Sequence, residues 1–241
     1  RKNIKNSLQL KPNELVVNCI EYKIPKKTKK ISLPLGNTER VVISETEKNI
    51  FLETMLSLDT TPIARYPDST DLRMLLANKL NVSPEQLIIT AGADEALQRA
   101  LSCVLGAGRE LIVTSPTFEM IPKYTSLANG STRFVPWLIG PYPTDEIMSA
   151  VNSSTSVIAI ISPNNPTGAF VPFSEIARIA SENPSILVLV DMVYSEFADE
   201  DITNKLLELR NIVIVRSLSK AWGMPGLRVG YAIGDPKVIS W

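Results

Sequence analysis

Lys220 stands among small hydroxyl residues and glycine in the run RSLSKAWG at 216–223, and Arg228 follows eight residues later in GLRVGY at 226–231. A lysine amine in such a setting can form an imine with an aldehyde. Ser217, Ser219 and Arg228 can meanwhile grip a phosphate, the arginine through charge-assisted hydrogen bonds. The chemistry implied is that of an aldehyde cofactor carrying a phosphate, and two segments upstream offer what such a cofactor still lacks. No histidine occurs in the chain. Ser-His-Asp and Cys-His triads, histidine metal centres and histidine general bases are therefore excluded. Chemistry falls to Lys, Asp, Tyr, Arg or a cofactor.

These residues need a scaffold, and from about residue 44 the pattern alternates between helix and strand. SETE at 44–47 reads as a capping box, with Phe51, Met55 and Leu58 behind it at helical spacing. Asp68 and Ser69 read as the cap of a second helix whose apolar face is Leu72, Leu75, Leu76 and Leu80. Further helices are expected at 93–105, 117–128, 145–151, 174–181 and 203–209. Strands are expected at 87–90, 111–114, 133–137, 157–161, 186–190, 212–215 and 229–233. Those at 157–161, 186–190 and 212–215 are continuous apolar runs, the mark of a mostly parallel sheet covered on both faces. Seven strands with interleaved helices predict a doubly wound α/β domain over 44–241. The connection between the last two strands is too short for a helical crossover, so the final strand is expected to be antiparallel. Residues 1–43 lack this rhythm and read as an arm or part of a small domain.

In open α/β sheets ligands bind beyond the carboxyl ends of the strands. Strand LIIT is followed by Gly92, Ala93 and Asp94 at a helix start, and LIVT by SPTF with Phe118. Strand VIAII leads to SPNNPTG with Asn165, ILVLV to Asp191 and Tyr194, and IVIV to Ser217, Ser219 and Lys220. Nearly every reactive candidate lands on one edge. Helix-start amides at 92–94 would add an anion site. Each residue also has a plainer use: Asp191 as a helix cap or buried hydrogen-bonded acid, Asn165 as a turn former before Pro166, Asp94 as a first-turn acid, Phe118 as core.

Taken in order, the motifs RYPD (65–68), GADEA (92–96), SPTFEM (115–120), SPNNPTG (162–168), D-x-x-Y (191–194) and SLSKAWGMPGLRVGY (217–231) resemble those of fold-type-I aminotransferases that depend on pyridoxal 5′-phosphate. The histidinol-phosphate aminotransferase-like group is the nearest in pattern. The resemblance implies that Lys220 holds the cofactor as an imine and moves the substrate proton. It implies that Asp191 pairs with the ring nitrogen, that Asn165 and Tyr194 bond the phenolic oxygen, and that Phe118 stacks on the ring. Arg228, Ser217, Ser219 and the amides of Gly92, Ala93 and Asp94 would take the phosphate, with the Asp94 carboxylate turned away. Tyr66 would reach the phosphate of a partner subunit, which implies a homodimer. The reaction implied is transamination between an amine, with histidinol phosphate as first guess, and a 2-oxo acid such as 2-oxoglutarate. The alternatives are a decarboxylase or lyase on the same scaffold, or the sensor domain of a transcription regulator. Trp222 stands where relatives commonly carry Phe, and Met192 and Val193 where they often carry Glu-Ala. Relatives also extend well past Trp241, into a small domain. With Arg1 at the start and a helix beginning at Asp235 and Pro236, the chain is expected to be a fragment.

Composition narrows the rest. Lys+Arg and Asp+Glu both total 25, so no global field favours nucleic acid or membrane. The basic run KIPKKTKK at 23–30 reads as a solvated arm. No apolar stretch has the length of a membrane span, and the start lacks a signal-peptide pattern. Two distant cysteines, Cys19 and Cys103, fit a reduced cytoplasmic protein without a zinc site.

Overall fold

A computed structural model describes residues 44–58 and 64–241; the expectations for the arm at 1–43 lie outside the described residues. The elements run α1 (Glu45–Ser57), α2 (Thr70–Leu80), β1 (Leu87–Ala91), α3 (Gly92–Val104), β2 (Glu110–Ser115), α4 (Met120–Leu127), β3 (Ser131–Pro136) and α5 (Thr144–Ala150). Then come β4 (Thr155–Ile161), α6 (Phe173–Glu182), β5 (Leu187–Asp191), α7 (Thr203–Leu206), β6 (Ile212–Ser217), β7 (Val229–Gly234) and α8 (Pro236–Ile239). The expected seven-stranded, mostly parallel sheet is present, in the order β1-β7-β6-β5-β4-β2-β3. β7 alone runs antiparallel to its neighbours β1 and β6, as its short connection requires.

The apolar strands are buried on both faces because side chains alternate along a strand. Ile158 and Ile160 of β4 join Ile112, Val188, Val190, Ile212 and Ile214 under α5 and α6. Val157, Ala159 and Ile161 face the other way, with Leu111, Val113, Leu189 and Val215 under α3 and α4. Every residue of β4 is buried. A smaller cluster of Leu76, Leu87, Tyr231 and Ile233 seats α2 on β1 and β7.

Several expectations need correction. Ser44 and Glu47 do form the reciprocal capping box, but Phe51, Met55 and Leu58 are 50, 51 and 52% exposed. Their spacing marks an apolar face without saying what covers it. At α2 the cap bond comes from Asp68, whose Oδ1 accepts from Thr70 N at 2.9 Å, whereas Ser69 makes no side-chain cap. Leu75, placed by periodicity on the buried face, is 62% exposed. The helix expected from 117 starts at Met120, because the chain first turns out of β2 through SPTF. The helix expected at 203–209 stops at Leu206.

Candidate functional site

The sheet topology gathers the candidates. β5 and β6 are parallel and end at Asp191 and Ser217. Because β7 returns antiparallel, Gly230 pairs with Ser217 and Val229 with Ala91. Arg228, which precedes β7, therefore reaches the same edge as the carboxyl ends of β1, β5 and β6. The strand order reverses between β2 and β4, a topological switch point of the kind where α/β sheets open a crevice. Asn164 ties the two loops there: its Nδ2 donates to Pro116 O at 3.1 Å and to Thr167 Oγ1 at 2.9 Å.

One part of this edge is an anion cradle. α3 begins at Gly92 behind Ala91, which offers no side-chain cap, and the first turn of a helix carries N–H groups without intrahelical partners. Arg228 lies over this terminus at φ 51°, and Gly92 has φ +80°. A Cβ on Gly92 would fall 2.5 Å from Arg228 Nη2. Gly230 packs from beneath, where a Cβ would come within 2.3 Å of the Gly92 carbonyl carbon. Gly92 is there because of its positive φ beneath the arginine, and Gly230 because the backbone of the helix start leaves β7 no room for a side chain. Ser217 Oγ accepts from Ser219 N at 3.0 Å, and the Ser219 hydroxyl is buried without a partner among the described residues.

Asp94 departs from expectation. Its carboxylate does not turn away: Oδ2 is 3.3 Å from Arg228 Nη2. Its charge also acts on the Tyr124 hydroxyl, whose pKa is pushed up to about 12, by burial first and then by the Asp94 charge. Tyr124 was not legible as a site residue, since its α4 position reads as core.

Asp191 is 4% exposed. Its Oδ1 accepts from Val193 N at 3.1 Å. Burial raises its pKa to about 6, opposed by the Val193 bond and by the Lys220 charge and reinforced by Asp94. Lys220 Nζ stands 5.7 Å from the centroid of the Tyr194 ring. Tyr194 and Asn165 both line a cleft of about 700 Å³ with Pro163, Phe170, Phe197 and Asp199. Phe118 is half-buried in the turn before α4 and packs on the cluster beneath α3 and α4. Tyr66 is 97% exposed, outside the cluster. The structure thus brings together Gly92, Ala93, Asp94, Ser217, Ser219 and Arg228 on one side, and Asp191, Tyr194, Lys220 and Asn165 on the other.

Sequence reasoning also missed Arg216 and Glu196. Arg216 has a side chain 5% exposed, and its Nη2 is 2.9 Å from Glu196 Oε1. Among the described residues no group of three or more metal-type side chains comes together.

Residues 33–241 match the family described as aminotransferase class I and II. The chain belongs to this family. An aromatic amino acid aminotransferase of Mycobacteroides abscessus is 36% identical over 184 residues, covering 74% of this chain and 53% of the relative. A histidinol-phosphate aminotransferase of Caldicellulosiruptor saccharolyticus is 35% identical over 214 residues, covering 86% and 57%. Among solved structures, an aspartate aminotransferase double mutant from Thermus thermophilus superposes with a TM-score of 0.65 at 30% identity, over 70% of this chain and 48% of that one. A putative histidinol-phosphate aminotransferase from Erwinia carotovora atroseptica gives 0.72 at 23% identity, over 85% of this chain and 61% of that one, a likeness of fold alone. This class I and II aminotransferase chain spans about half the length of the curated relatives it matches. The resemblance read from its ordered motifs is borne out.

Proposed function

We infer that the full-length protein is a pyridoxal 5′-phosphate-dependent aminotransferase. It moves an amino group between an amino acid or amine and a 2-oxo acid such as 2-oxoglutarate. The observation that carries this reading is the meeting, on one sheet edge, of Lys220, the buried Asp191 and the Gly92–Arg228 cradle. The chemistry of these groups fits the cofactor. The helix start, Arg228, Ser217 and the unpartnered Ser219 hydroxyl suit its phosphate, and Asp191 suits a protonated ring nitrogen. Asn165 and Tyr194 would serve its phenolic oxygen and Phe118 its ring face. When bound, the cofactor supplies an electron sink for the bonds at the substrate carbon. Lys220 Nζ would hold the cofactor and would serve as base and acid for the substrate proton.

The relatives support a histidinol phosphate or an aromatic amino acid as donor, and relatives above 30% identity that carry aminotransferase names favour transamination over decarboxylation. Residues 44–241 would be the cofactor-binding large domain, and 1–43 an arm or part of the small domain. A homodimer would cover the apolar face of α1, where Ile50, Phe51, Leu52, Met55 and Leu56 are all exposed. Phe51 there borders a cleft of about 420 Å³ with Trp222, Met224 and Leu227. Tyr66, 97% exposed, would then be offered to the partner's site. A cytoplasmic location rests on the sparse cysteine usage, two distant residues without a CxxC spacing. Among the described residues no helix is long and apolar enough to cross a membrane.

The test is spectroscopic. Full-length protein mixed with pyridoxal phosphate should show a visible absorption band that Lys220→Ala abolishes. A folded wild type without the band, or a band that survives in the variant, would overturn the assignment.

A further inference from the structure

We propose that Trp222 is a positioning residue, which locks the lysine turn to the segment after β5 through a clasp with Glu196 and Arg216. The proposal rests on the cofactor reading above for its spectroscopic arm only. Trp222 Nε1 donates to Glu196 Oε1 at 3.2 Å. The same oxygen accepts from Arg216 Nη2 at 2.9 Å. Arg216 is buried near the end of β6, and its Nη1 also donates to Thr203 Oγ1 at 2.9 Å and lies 3.4 Å from Asp201 Oδ2. A guanidinium so held cannot shift without losing several partners. Glu196 therefore has a fixed anchor, and the indole N–H hangs the lysine turn from it. From the other side, Lys79 of α2 places its ammonium 5.2 Å from the centroid of the Trp222 ring.

The placement gives the clasp its purpose. Glu196 lies two residues after Tyr194, and Trp222 two residues after Lys220. The Lys220 ammonium in turn faces the Tyr194 ring. The turn itself is closed by Gly223 N to Lys220 O at 3.0 Å and Met224 N to Leu218 O at 3.1 Å. These bonds shape the turn but do not tie it to the Tyr194 segment. The indole–carboxylate bond does, so it sets where the amine stands relative to the phenol.

Trp222→Phe isolates this bond, because it keeps an aromatic ring for Lys79 and removes the donor. Two measurements on the full-length protein test it. Without cofactor, hydrogen exchange at the amides of Gly223 and Met224 should quicken by roughly tenfold, the scale of one lost hydrogen bond to a charged group. With cofactor, the pH midpoint of the visible band should rise by about half a unit as the Tyr194 hydroxyl loosens from the phenolic oxygen it serves. Glu196→Ala should reproduce both effects, and the double variant should add nothing to Glu196→Ala alone. A merely structural tryptophan would lower the melting temperature and leave the midpoint unmoved. Unchanged exchange, an unchanged midpoint in a protein that shows the band, or additive effects in the double variant would each overturn the proposal. A wild type without the band overturns the cofactor reading instead, and exchange then decides the clasp.

Discussion

Replacing Asp191 by Asn probes the most strongly perturbed acid of the site. The carboxyl is buried, and burial lifts its pKa from an ordinary 3.8 to about 6. An acid with a raised folded-state pKa favours the fold while protonated and opposes it once ionised. Its cost is thus absent below about pH 4, grows as the pH rises through the window between 3.8 and about 6, and is constant above. Across that window the cost reaches about 3 kcal/mol, with about half of it already present at pH 5. Asn has nearly the same shape, keeps an oxygen to accept from Val193 N, and carries no charge to bury. Cofactor-free Asp191→Asn should therefore be more stable than wild type by about 3 kcal/mol at pH 8 and by about half that at pH 5. Titrating groups that do not interact with Asp191 cancel in the difference between the two proteins. Urea unfolding at both pH values, at one protein concentration, measures it. With cofactor present the order should reverse, because only the carboxylate can pair with a protonated ring nitrogen. A stability difference that is flat between pH 5 and pH 8, or that favours wild type without cofactor, refutes the reasoning.

Two further substitutions test the supports of the site. Gly92→Ala would put a methyl group 2.5 Å from Arg228 Nη2 at a backbone φ of +80°. It should cost about 1 kcal/mol or more of stability and weaken pyridoxal phosphate binding by roughly tenfold or more as the guanidinium is pushed aside, read by fluorescence titration. Arg216→Ala removes a guanidinium whose side chain is 5% exposed, while its partners Glu196 and Asp201 keep 22 and 52% exposure. Both carboxylates can turn to water, so the loss should sit near the lower end of the range for broken buried pairs, about 3 kcal/mol, measured by urea unfolding near neutral pH.

What the sequence made legible follows one physical line. Strand runs such as VIAII are apolar at every position only if both faces are covered, so the parallel core was visible without coordinates. The antiparallel β7 followed from a connection too short for a crossover. The same reading placed Asp191, Ser217 and Gly92 at one edge, because each stands at or just past the end of a strand. What stayed hidden depends on side-chain direction and on distant partners. Arg216 reads as the polar end of a strand, and only the fold brings Glu196, 20 residues earlier in the chain, into its reach. Asp94 reads as a first-turn acid, yet Arg228, 134 residues away, meets its carboxylate at the cradle. The helical spacing that begins at Phe51 and Met55 predicted a helix correctly, but periodicity describes one surface and burial needs two. Local pattern therefore finds the groups that can do chemistry. The groups that hold them in place are fixed by contacts between segments far apart in the chain, and those contacts leave no mark in any one segment.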